Sequence, residues 1–278
     1  MERKMWRAVV VAFFILLIPF QAFTAQLVVT SPPRESVEAG KALYQPLADY
    51  LSKILGQQVN YKHPNNWLTY QHNMRKDQYD VVFDGPHFAA WRIAHLGNRV
   101  LVKLPGTLQF VLVTKAGDSS ISAMRDLVGK RICGIPPPNL SALTVLALFE
   151  NPMRQPLIKG IKGGMGAVYQ ALQQGHCKAA VLRISYYKKQ LSDADRSKLK
   201  VFYTSPPLPN QVITVSKRIS DADLEKIQRG LLYSEEGKKA LEPIRERFGG
   251  KQVKSFVKAN QEEYNGHNKY LEGIIFGW

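Results

Sequence analysis

Residues 79–86 (YDVVFDGP) contain the junction between strand and helix that recurs along this chain. Residues 79–83 (YDVVF) have the length of a buried strand, and the β-branched Val81 and Val82 favour one. Gly85 and Pro86 then end the strand, and proline is well accepted in the first turn of a helix. The segment therefore predicts a buried strand that leads, through the polar Asp84, into a helix.

The same alternation of strand and helix continues along the chain. Short apolar runs predict strands at residues 26–30, 58–61, 79–83, 110–114, 130–135, 178–182, 200–203 and 211–215. Apolar residues at helical spacing predict helices at residues 43–55, 67–76, 141–150 and 165–174, and again behind a cap at Ser220. Apolar strands separated by helices favour an α/β fold of two doubly wound lobes of mostly parallel sheet.

The amino terminus has the layout of a secretory signal peptide. Arg3, Lys4 and Arg7 precede an uncharged, mostly apolar stretch at residues 8–20, which is short for a membrane-spanning helix. Cleavage after Ala25 would leave 35 basic and 21 acidic residues, a net charge of +14. We therefore expect a periplasmic protein, with an uncleaved membrane anchor as the alternative.

Composition excludes several classes of protein. The chain has 278 residues, of which 45% are hydrophobic and 22% are charged, so it is neither disordered nor a disulfide-rich miniprotein. The formal charge of +16 favours anionic partners, either a small anion, acidic lipid or nucleic acid. An exported protein rarely meets nucleic acid, so no nucleic-acid partner is expected.

Signatures of catalysis and of cofactor binding are absent from the sequence. There is no G-x-S-x-G elbow, H-E-x-x-H motif, P-loop or G-x-G-x-x-G fingerprint. Two cysteines are too few for a thiolate zinc site, and the histidines show no spacing typical of metal ligands. We therefore expect no enzyme activity, no metal and no cofactor.

Polar residues concentrate instead where predicted strands lead into helices. Four such junctions lie at residues 31–33, 84–87, 136–141 and 183–185. Ligands of open parallel sheets bind at the carboxyl ends of the strands, where helix N-termini offer unpaired N–H groups. Each junction alone could be a rigid turn with a cap, but together they predict one ligand cleft.

At these segments the chain resembles a known family. Residues 44–51 (YQPLADYL), 79–86 (YDVVFDGP) and 138–141 (PNLS) are similar to the extracytoplasmic solute-binding proteins of ABC importers, in the phosphonate and phosphite group. Residues 205–209 (SPPLP) resemble the second crossing between the lobes of that group. The resemblance implies a type II periplasmic binding fold and spans essentially the whole chain after the signal peptide.

The resemblance also implies an arrangement of lobes. Lobe one would contain residues 26–106 and 207–278, with helices at the carboxyl end of the chain, and lobe two would contain residues 107–206. Two strands would form the hinge, and the ligand would bind between the lobes. We expect closure around the ligand to present a surface to an ABC permease in the inner membrane, with the protein itself a monomer.

The expected ligand site combines the strand-end residues with those that match the family's loops. These ligand-binding residues are Ser31, Trp67, Asp84, His87, Asn139, Ser141, Arg183 and Gln211. The chain departs from the group's pattern in having Asp84 in place of a tyrosine, Met165 in place of a histidine and Gln211 in place of an acidic residue. The departures predict an altered site for a small polar or anionic ligand. Asp84 favours an amine on that ligand over a bare phosphonate.

Other functions remain open at this point. The same receptor could deliver its ligand to a signalling sensor rather than to a permease. An enzyme on this fold could use Asp84 or His87 as an acid–base group. The net charge could also drive binding to anionic lipid or polymer, which would depend steeply on salt.

A disulfide is predicted between Cys133 and Cys177. Cys133 lies in the strand at residues 130–135, and Cys177 immediately precedes the strand at residues 178–182. The first and third parallel strands of a doubly wound lobe are neighbours about 4.8 Å apart, within reach of a disulfide. An oxidising compartment favours pairing over the alternative of two buried thiols.

Overall fold

A computed structural model describes residues 26–250 and 252–272 of the chain. The predicted signal peptide, with its alternative as a membrane anchor, lies outside the described residues. Within the described ranges, no helix is both long enough and apolar enough to cross a bilayer.

Strands and helices alternate over the described chain. In chain order the strands are β1 (Leu27–Thr30), β2 (Val59–Tyr61), β3 (Val81–Asp84), β4 (Arg99–Lys103), β5 (Thr107–Leu108), β6 (Phe110–Lys115), β7 (Arg131–Gly134), β8 (Leu157–Gly160), β9 (Ala179–Arg183), β10 (Leu199–Thr204), β11 (Leu208–Pro209), β12 (Val212–Val215) and β13 (Val257–Lys258). The helices are α1 (Val37–Leu55), α2 (Trp67–Arg75), α3 (Pro86–Leu96), α4 (Leu140–Leu146), α5 (Gly164–Gln173), α6 (Ile184–Lys189), α7 (Asp193–Ser197), α8 (Asp221–Tyr233), α9 (Glu235–Gly249) and α10 (Lys269–Glu272). Short 3₁₀ helices lie at Met124–Leu127 and Gln261–Tyr264.

These strands form two large sheets, one in each lobe. The sheet of lobe one has the order β13-β4-β12-β3-β1-β2, and the sheet of lobe two has the order β10-β6-β9-β7-β8. In lobe one β1 is parallel to β2 and β3, and in lobe two β7 is parallel to β8 and β9. The predicted fold of two α/β lobes is confirmed.

Each sheet is mixed rather than mostly parallel, because a strand inside the sheet runs against its neighbours. At the edge of the lobe-one sheet β13 is also antiparallel to β4. In lobe one β12 is antiparallel to β3 and β4, and in lobe two β6 is antiparallel to β9 and β10. Both are the first long strand after the chain crosses between lobes. After each crossing the chain reaches the sheet at the carboxyl ends of its parallel strands. The next strand, β6 or β12, therefore has to run antiparallel to them.

The two crossings lie side by side as a small antiparallel sheet. β5 pairs with β11, and Leu108 lies opposite Leu208. Beside this pair, the Leu104 amide donates to the Gln211 carbonyl at 2.9 Å, and the Asn210 side chain donates to the Pro105 carbonyl at 2.9 Å. The predicted two-strand hinge is therefore present.

Helix α1 shows how local sequence sets the elements of lobe one. The Ser36 hydroxyl caps its first turn by accepting a hydrogen bond from the Ala39 amide at 3.3 Å. Gly56 ends the helix in the left-handed conformation, with φ of 65°. Pro46 lies inside the helix, because the cap sets the start at Val37.

The predicted disulfide is confirmed. Cys133 and Cys177 are bonded, with their Cα atoms 5.6 Å apart. Cys133 lies in β7 opposite Ala180 of β9, so the bond joins β7 to the residue two positions before its parallel neighbour β9.

Candidate ligand site

The two lobes meet where the parallel strands of their sheets end. His87, in the first turn of α3, places its Nε2 atom 3.0 Å from the carbonyl oxygen of Pro138, which shortly precedes α4. Leu143 of α4 packs in the same apolar cluster as Phe88 of α3 and Leu271 of α10. The junctions predicted after β3 and after β7 therefore face each other across a cleft between the lobes.

In the turn before α4, the polar side chains form hydrogen bonds with each other and with the backbone of the turn. Asn139 caps the helix, and its Oδ1 accepts hydrogen bonds from the Ser141 amide at 3.0 Å and from the Ser141 hydroxyl at 2.7 Å. Ser141 is fully buried. Both residues therefore shape the lobe-two wall next to His87, and the Ser141 proton is already donated within the turn.

Asp84 lies beneath the cleft in a buried ion pair. Its Oδ2 atom is 3.1 Å from a guanidinium nitrogen of Arg92 and accepts a hydrogen bond from the Tyr70 hydroxyl at 2.9 Å. Arg92 also donates to Tyr70. Burial raises the pKa of Asp84, and the facing Arg92 opposes that effect. Arg92 thus compensates the charge of this carboxylate within lobe one, while its Oδ1 atom is buried without a hydrogen-bond partner in the described chain.

Trp67 belongs to an aromatic group in lobe one. Its ring stacks on Phe88, with centroids 6.0 Å apart, and meets Tyr70 edge to face at 6.1 Å. The side chain is half-buried and packs against the core cluster beneath α2. These contacts give Trp67 a packing role beside the cleft.

Ser31 and Gln211 hold buried polar atoms near the loops after β1 and before β12. Ser31 is 1% exposed and lies beside the Tyr44 and Tyr61 hydroxyls. Burial raises the pKa of Tyr61 to about 12, and Tyr44 titrates higher still for the same reason. The Oε1 atom of Gln211 and the Tyr44 hydroxyl are buried without a hydrogen-bond partner in the described chain.

Charged residues that the sequence reasoning missed lie around these hydroxyls. The guanidinium carbons of Arg34 and Arg247 lie 5.5 Å and 5.1 Å from the centroid of the Phe248 ring. Arg247 is also 3.4 Å from Glu35. Arg34 directly follows the predicted junction at residues 31–33, so its position in the sequence indicated that it could lie near the cleft. Arg247 lies near the end of α9, far along the chain, and nothing in its local sequence points to the cleft.

Arg183 lies at the carboxyl end of β9, opposite Phe110 of β6. Its side chain is half-buried and makes no hydrogen bond or ion pair with any residue that the structure describes. Burial lowers the pKa of Arg183 to about 10, and the neighbouring charges of Arg34 and Arg247 lower it further.

His87 is held in its neutral form. Burial lowers its pKa to about 3, and the nearby Arg34 and His267 add to the effect. A carbonyl oxygen only accepts hydrogen bonds, so Nε2 must carry the proton that is donated to Pro138. Nδ1 is buried without a hydrogen-bond partner in the described chain.

This state predicts a pH-dependent stability. The folded pKa of His87, about 3, lies below the ordinary value of 6.5, so on acidification the unfolded chain takes up a proton before the folded protein does. The contribution is complete above about pH 6.5 and is lost as the pH falls toward 3. Relative to His87→Gln, the wild type should lose about 2 kcal/mol of unfolding free energy between pH 7 and pH 5. Urea titrations of both proteins measure this, and parallel pH curves would contradict it.

A second depression lies at the opposite end of the lobe-one sheet. It has a volume of about 520 Å³ and is lined in part by Asp77, Asp80 and Arg218. These charges are already paired, because Arg218 donates to Asp77 at 2.6 Å and to Asp80 at 2.9 Å. It lies at the start of β1, away from the strand ends that form the cleft. Over the described residues, no group of three or more His, Cys, Asp or Glu side chains is arranged to hold a metal.

Comparison with known proteins identifies a family. Residues 29–264 match the sequence pattern of one family, the periplasmic substrate-binding proteins of ABC phosphonate transporters. The chain is also similar to the phosphate-import protein PhnD of Mycolicibacterium smegmatis. The two are 20% identical over 232 residues, which cover 75% of this chain and 71% of that protein.

Solved structures share the two-lobed fold. PhnD1 from Prochlorococcus marinus, in complex with methylphosphonate, is 16% identical and superposes with a TM-score of 0.63, covering 88% of this chain and 96% of that one. XAC2383 from Xanthomonas citri, bound to ATP, is 12% identical with a TM-score of 0.69, covering 90% of this chain and 100% of that one. At these identities the likeness concerns the fold.

Proposed function

This chain belongs to the periplasmic substrate-binding proteins of ABC phosphonate transporters, and from that membership we propose that it captures a small polar or anionic solute in the cleft between its lobes and delivers it to an ABC permease. The observation that carries the proposal is the meeting of strand-end loops from both sheets, bridged by His87 and Pro138 at 3.0 Å. Binding of this kind needs no covalent chemistry.

The proposed receptor works by closure about the hinge. Lobe one comprises residues 26–106 and 207–278, and lobe two comprises residues 107–206. Because β5 and β11 are only two residues long, a small change in their backbone angles can rotate one lobe against the other. Ser31, His87, Asn139, Ser141, Arg183 and Gln211 are the sequence-predicted residues that we keep as the ligand-facing set.

Export and docking complete the proposal. Residues 1–25 direct the chain to the periplasm as a cleaved signal peptide, and the closed monomer presents both lobes to the permease in the inner membrane. The disulfide supports an oxidising compartment, since stable disulfides are rare in the cytosol.

Native mass spectrometry tests the proposal. The protein, purified from its own periplasm without unfolding, should retain one small molecule per chain, which dissociates intact on collisional activation. Deletion of the permease genes should abolish uptake of that molecule. Retention by a protein whose deletion leaves uptake unchanged but abolishes a signalling response would favour a sensor partner. Chemical conversion of the molecule on incubation would favour an enzyme.

A further inference from the structure

The positive charge of the protein is concentrated in lobe two. Residues 107–206 contain 14 lysine and arginine residues against five acidic residues, a net charge of +9. Residues 26–106 and 207–278 contain 21 against 16, a net charge of +5. Of the 14 cations in lobe two, Arg183 alone belongs to the ligand-facing set. Most of this excess charge therefore calls for a partner other than the solute.

A group of basic residues lies at the end of lobe two opposite the cleft, where the parallel strands begin. Backbone hydrogen bonds join the segments there. The Leu157 amide donates to the Lys130 carbonyl at 2.9 Å, and the Lys178 amide donates to the Arg131 carbonyl at 3.0 Å. The starts of β7, β8 and β9 therefore lie side by side. We call the exposed side chains at this end the distal patch: Lys130, Arg131, Met153, Arg154, Leu157 and Lys178.

Most cations of the distal patch have no acidic partner. Lys130, Arg131 and Arg154 are exposed and form no ion pair with any residue that the structure describes. Lys178 is 3.6 Å from Asp118, but its side chain is 57% exposed, so water weakens the attraction within that pair. The patch therefore presents positive charge to solvent.

Acidic residues near the patch are too few to cancel this charge. Asp126, in the short 3₁₀ helix before β7, is offset by Arg125 at 3.9 Å. Glu150 is the one acidic residue in the sequence between α4 and β8. At the end of β6, beside β9, Lys115 adds one more cation. With Asp118 and Glu150 included, this end of the lobe carries a net charge of +3.

Two apolar side chains protrude among these cations. Met153 is 88% exposed and Leu157 is 59% exposed, and Leu157 lies directly opposite Arg131 in the strand register. Asn151 fixes the turn before β8, because its Oδ1 atom accepts a hydrogen bond from the Met153 amide at 2.9 Å and its carbonyl accepts one from the Arg154 amide at 2.9 Å. Exposed apolar side chains rimmed by polar residues mark interaction surfaces.

We propose that the distal patch binds the surface of an anionic phospholipid bilayer, with Met153 and Leu157 among the headgroups and the surrounding cations on the lipid phosphates. Apolar side chains leave water at such an interface, and the negative surface potential attracts the cations beside them. A protruding side chain such as Met153 needs no pocket in a bilayer, whereas a protein partner would have to offer one. The exposed tip therefore favours lipid over an acidic protein.

Lipid binding of this kind goes beyond the proposed function and does not depend on the solute. The patch lies at the amino ends of β7, β8 and β9, whereas the cleft lies at their carboxyl ends. A protein held on lipid through the patch therefore keeps its cleft open to solute. Such contact would hold an exported receptor at the membrane that contains its permease.

Vesicle co-sedimentation tests the inference with the full mature protein, residues 26–278. Binding to vesicles of phosphatidylcholine and phosphatidylglycerol in equal amounts is compared with binding to vesicles of phosphatidylcholine alone. One variant, the patch variant, combines Lys130→Gln, Arg131→Gln and Arg154→Gln. The other, Met153→Asp, replaces the apolar tip of the turn with an acid.

Each variant has a matched control in lobe one. Combining Lys226→Gln, Lys239→Gln and Lys254→Gln removes the same charge from three exposed positions. Tyr233→Asp introduces an acid at a side chain that is 73% exposed. Soluble poly-glutamate represents an acidic protein partner.

We expect the wild type to bind the phosphatidylglycerol vesicles far more tightly than phosphatidylcholine alone, and to lose that binding as the salt concentration rises. A basic side chain near an anionic surface contributes about fivefold to binding, so the patch variant should bind about 100-fold more weakly. Met153→Asp should weaken binding by about tenfold or more, because it removes an apolar group and adds a negative charge. Both lobe-one controls should bind as the wild type does.

Equal binding to the two kinds of vesicle, or no binding to either, would overturn the inference. Equal losses in the patch variant and its lobe-one control would also overturn it, because the total charge of the protein would then account for the binding. Poly-glutamate binding that is lost in the patch variant, with vesicle binding unchanged in Met153→Asp, would identify an acidic protein surface instead of lipid. Solute retention by the patch variant, measured by native mass spectrometry, tests the proposed function separately. A thermal unfolding curve for each variant shows that a loss of binding is not a loss of fold.

Discussion

Substituting Arg92 with methionine lowers the free energy of unfolding by about 3–5 kcal/mol, because it leaves a buried carboxylate without its counter-ion. Arg92 and Asp84 are 1% and 0% exposed, and their nearest charged atoms are 3.1 Å apart. Without the guanidinium, Asp84 keeps its hydrogen bond from Tyr70 but loses the positive charge that favours its ionised form. Urea unfolding at pH 7 measures the loss.

Two controls separate this pair from an ordinary surface ion pair. Arg229→Met removes the partner of Glu225 in a pair whose side chains are 72% and 70% exposed, and should cost less than about 1 kcal/mol. The double variant Arg92→Met, Asp84→Leu should be more stable than Arg92→Met alone, since it also removes the stranded charge. An Arg92→Met protein as stable as Arg229→Met would contradict the account of Asp84 as a neutralised, structural carboxylate.

Loss of the disulfide has the second large effect. The bond between Cys133 and Cys177 closes a loop with a sequence separation of 44 residues. The chain-entropy model gives a stabilisation of about 3–4 kcal/mol for a loop of this length. The double variant Cys133→Ser, Cys177→Ser should unfold at a correspondingly lower urea concentration than the oxidised wild type.

Reduction provides the matched control for the disulfide. Wild type kept in reductant should approach the stability of the double variant, and the variant itself should not respond to reductant. Alkylation of two free thiols in the unreduced native protein would contradict the bond. Equal stability of the oxidised and reduced wild type would contradict its contribution.

The sequence predicted most of the elements because their signals are local. Apolar runs placed β1, β3, β6 and β9, and the Ser220 cap placed the start of α8. The pairing of strands is not a local property, and β6 and β12 look the same in sequence whether they run parallel or antiparallel. Their direction depends on where the chain enters each sheet, which only the three-dimensional path of the crossings determines.

Short and exposed elements were missed for a related reason. β8 is an edge strand of lobe two, and its residues are partly or fully exposed, so no apolar run marks it. β13 has two exposed residues and is recognisable only from its pairing with β4. An edge strand of this kind is defined by its neighbour rather than by its composition.

The candidate site also contains residues that local sequence predicts and residues that only the three-dimensional structure brings there. His87 and Arg183 were found because they follow apolar strands, where a ligand cleft is expected. Arg247 comes from α9, more than sixty residues along the chain from Arg183, and meets Arg34 only through the ring of Phe248. Asp84 was placed correctly at a strand end, but its partner Arg92 lies two helical turns away and faces inward. Sequence position alone could not show that this carboxylate was already neutralised.

Hydrogen–deuterium exchange tests the central claim most directly, namely that one solute is held between the strand ends of both lobes. Exchange is compared for the protein with the small molecule that it retains on purification and for the same protein emptied by unfolding and refolding without reductant. We expect the solute to slow exchange in both lobes together, at residues 30–36 and 84–89 of lobe one and at residues 136–143 and 183–187 of lobe two. Protection confined to one lobe, or centred on the depression at Asp77, Asp80 and Arg218, would contradict the account.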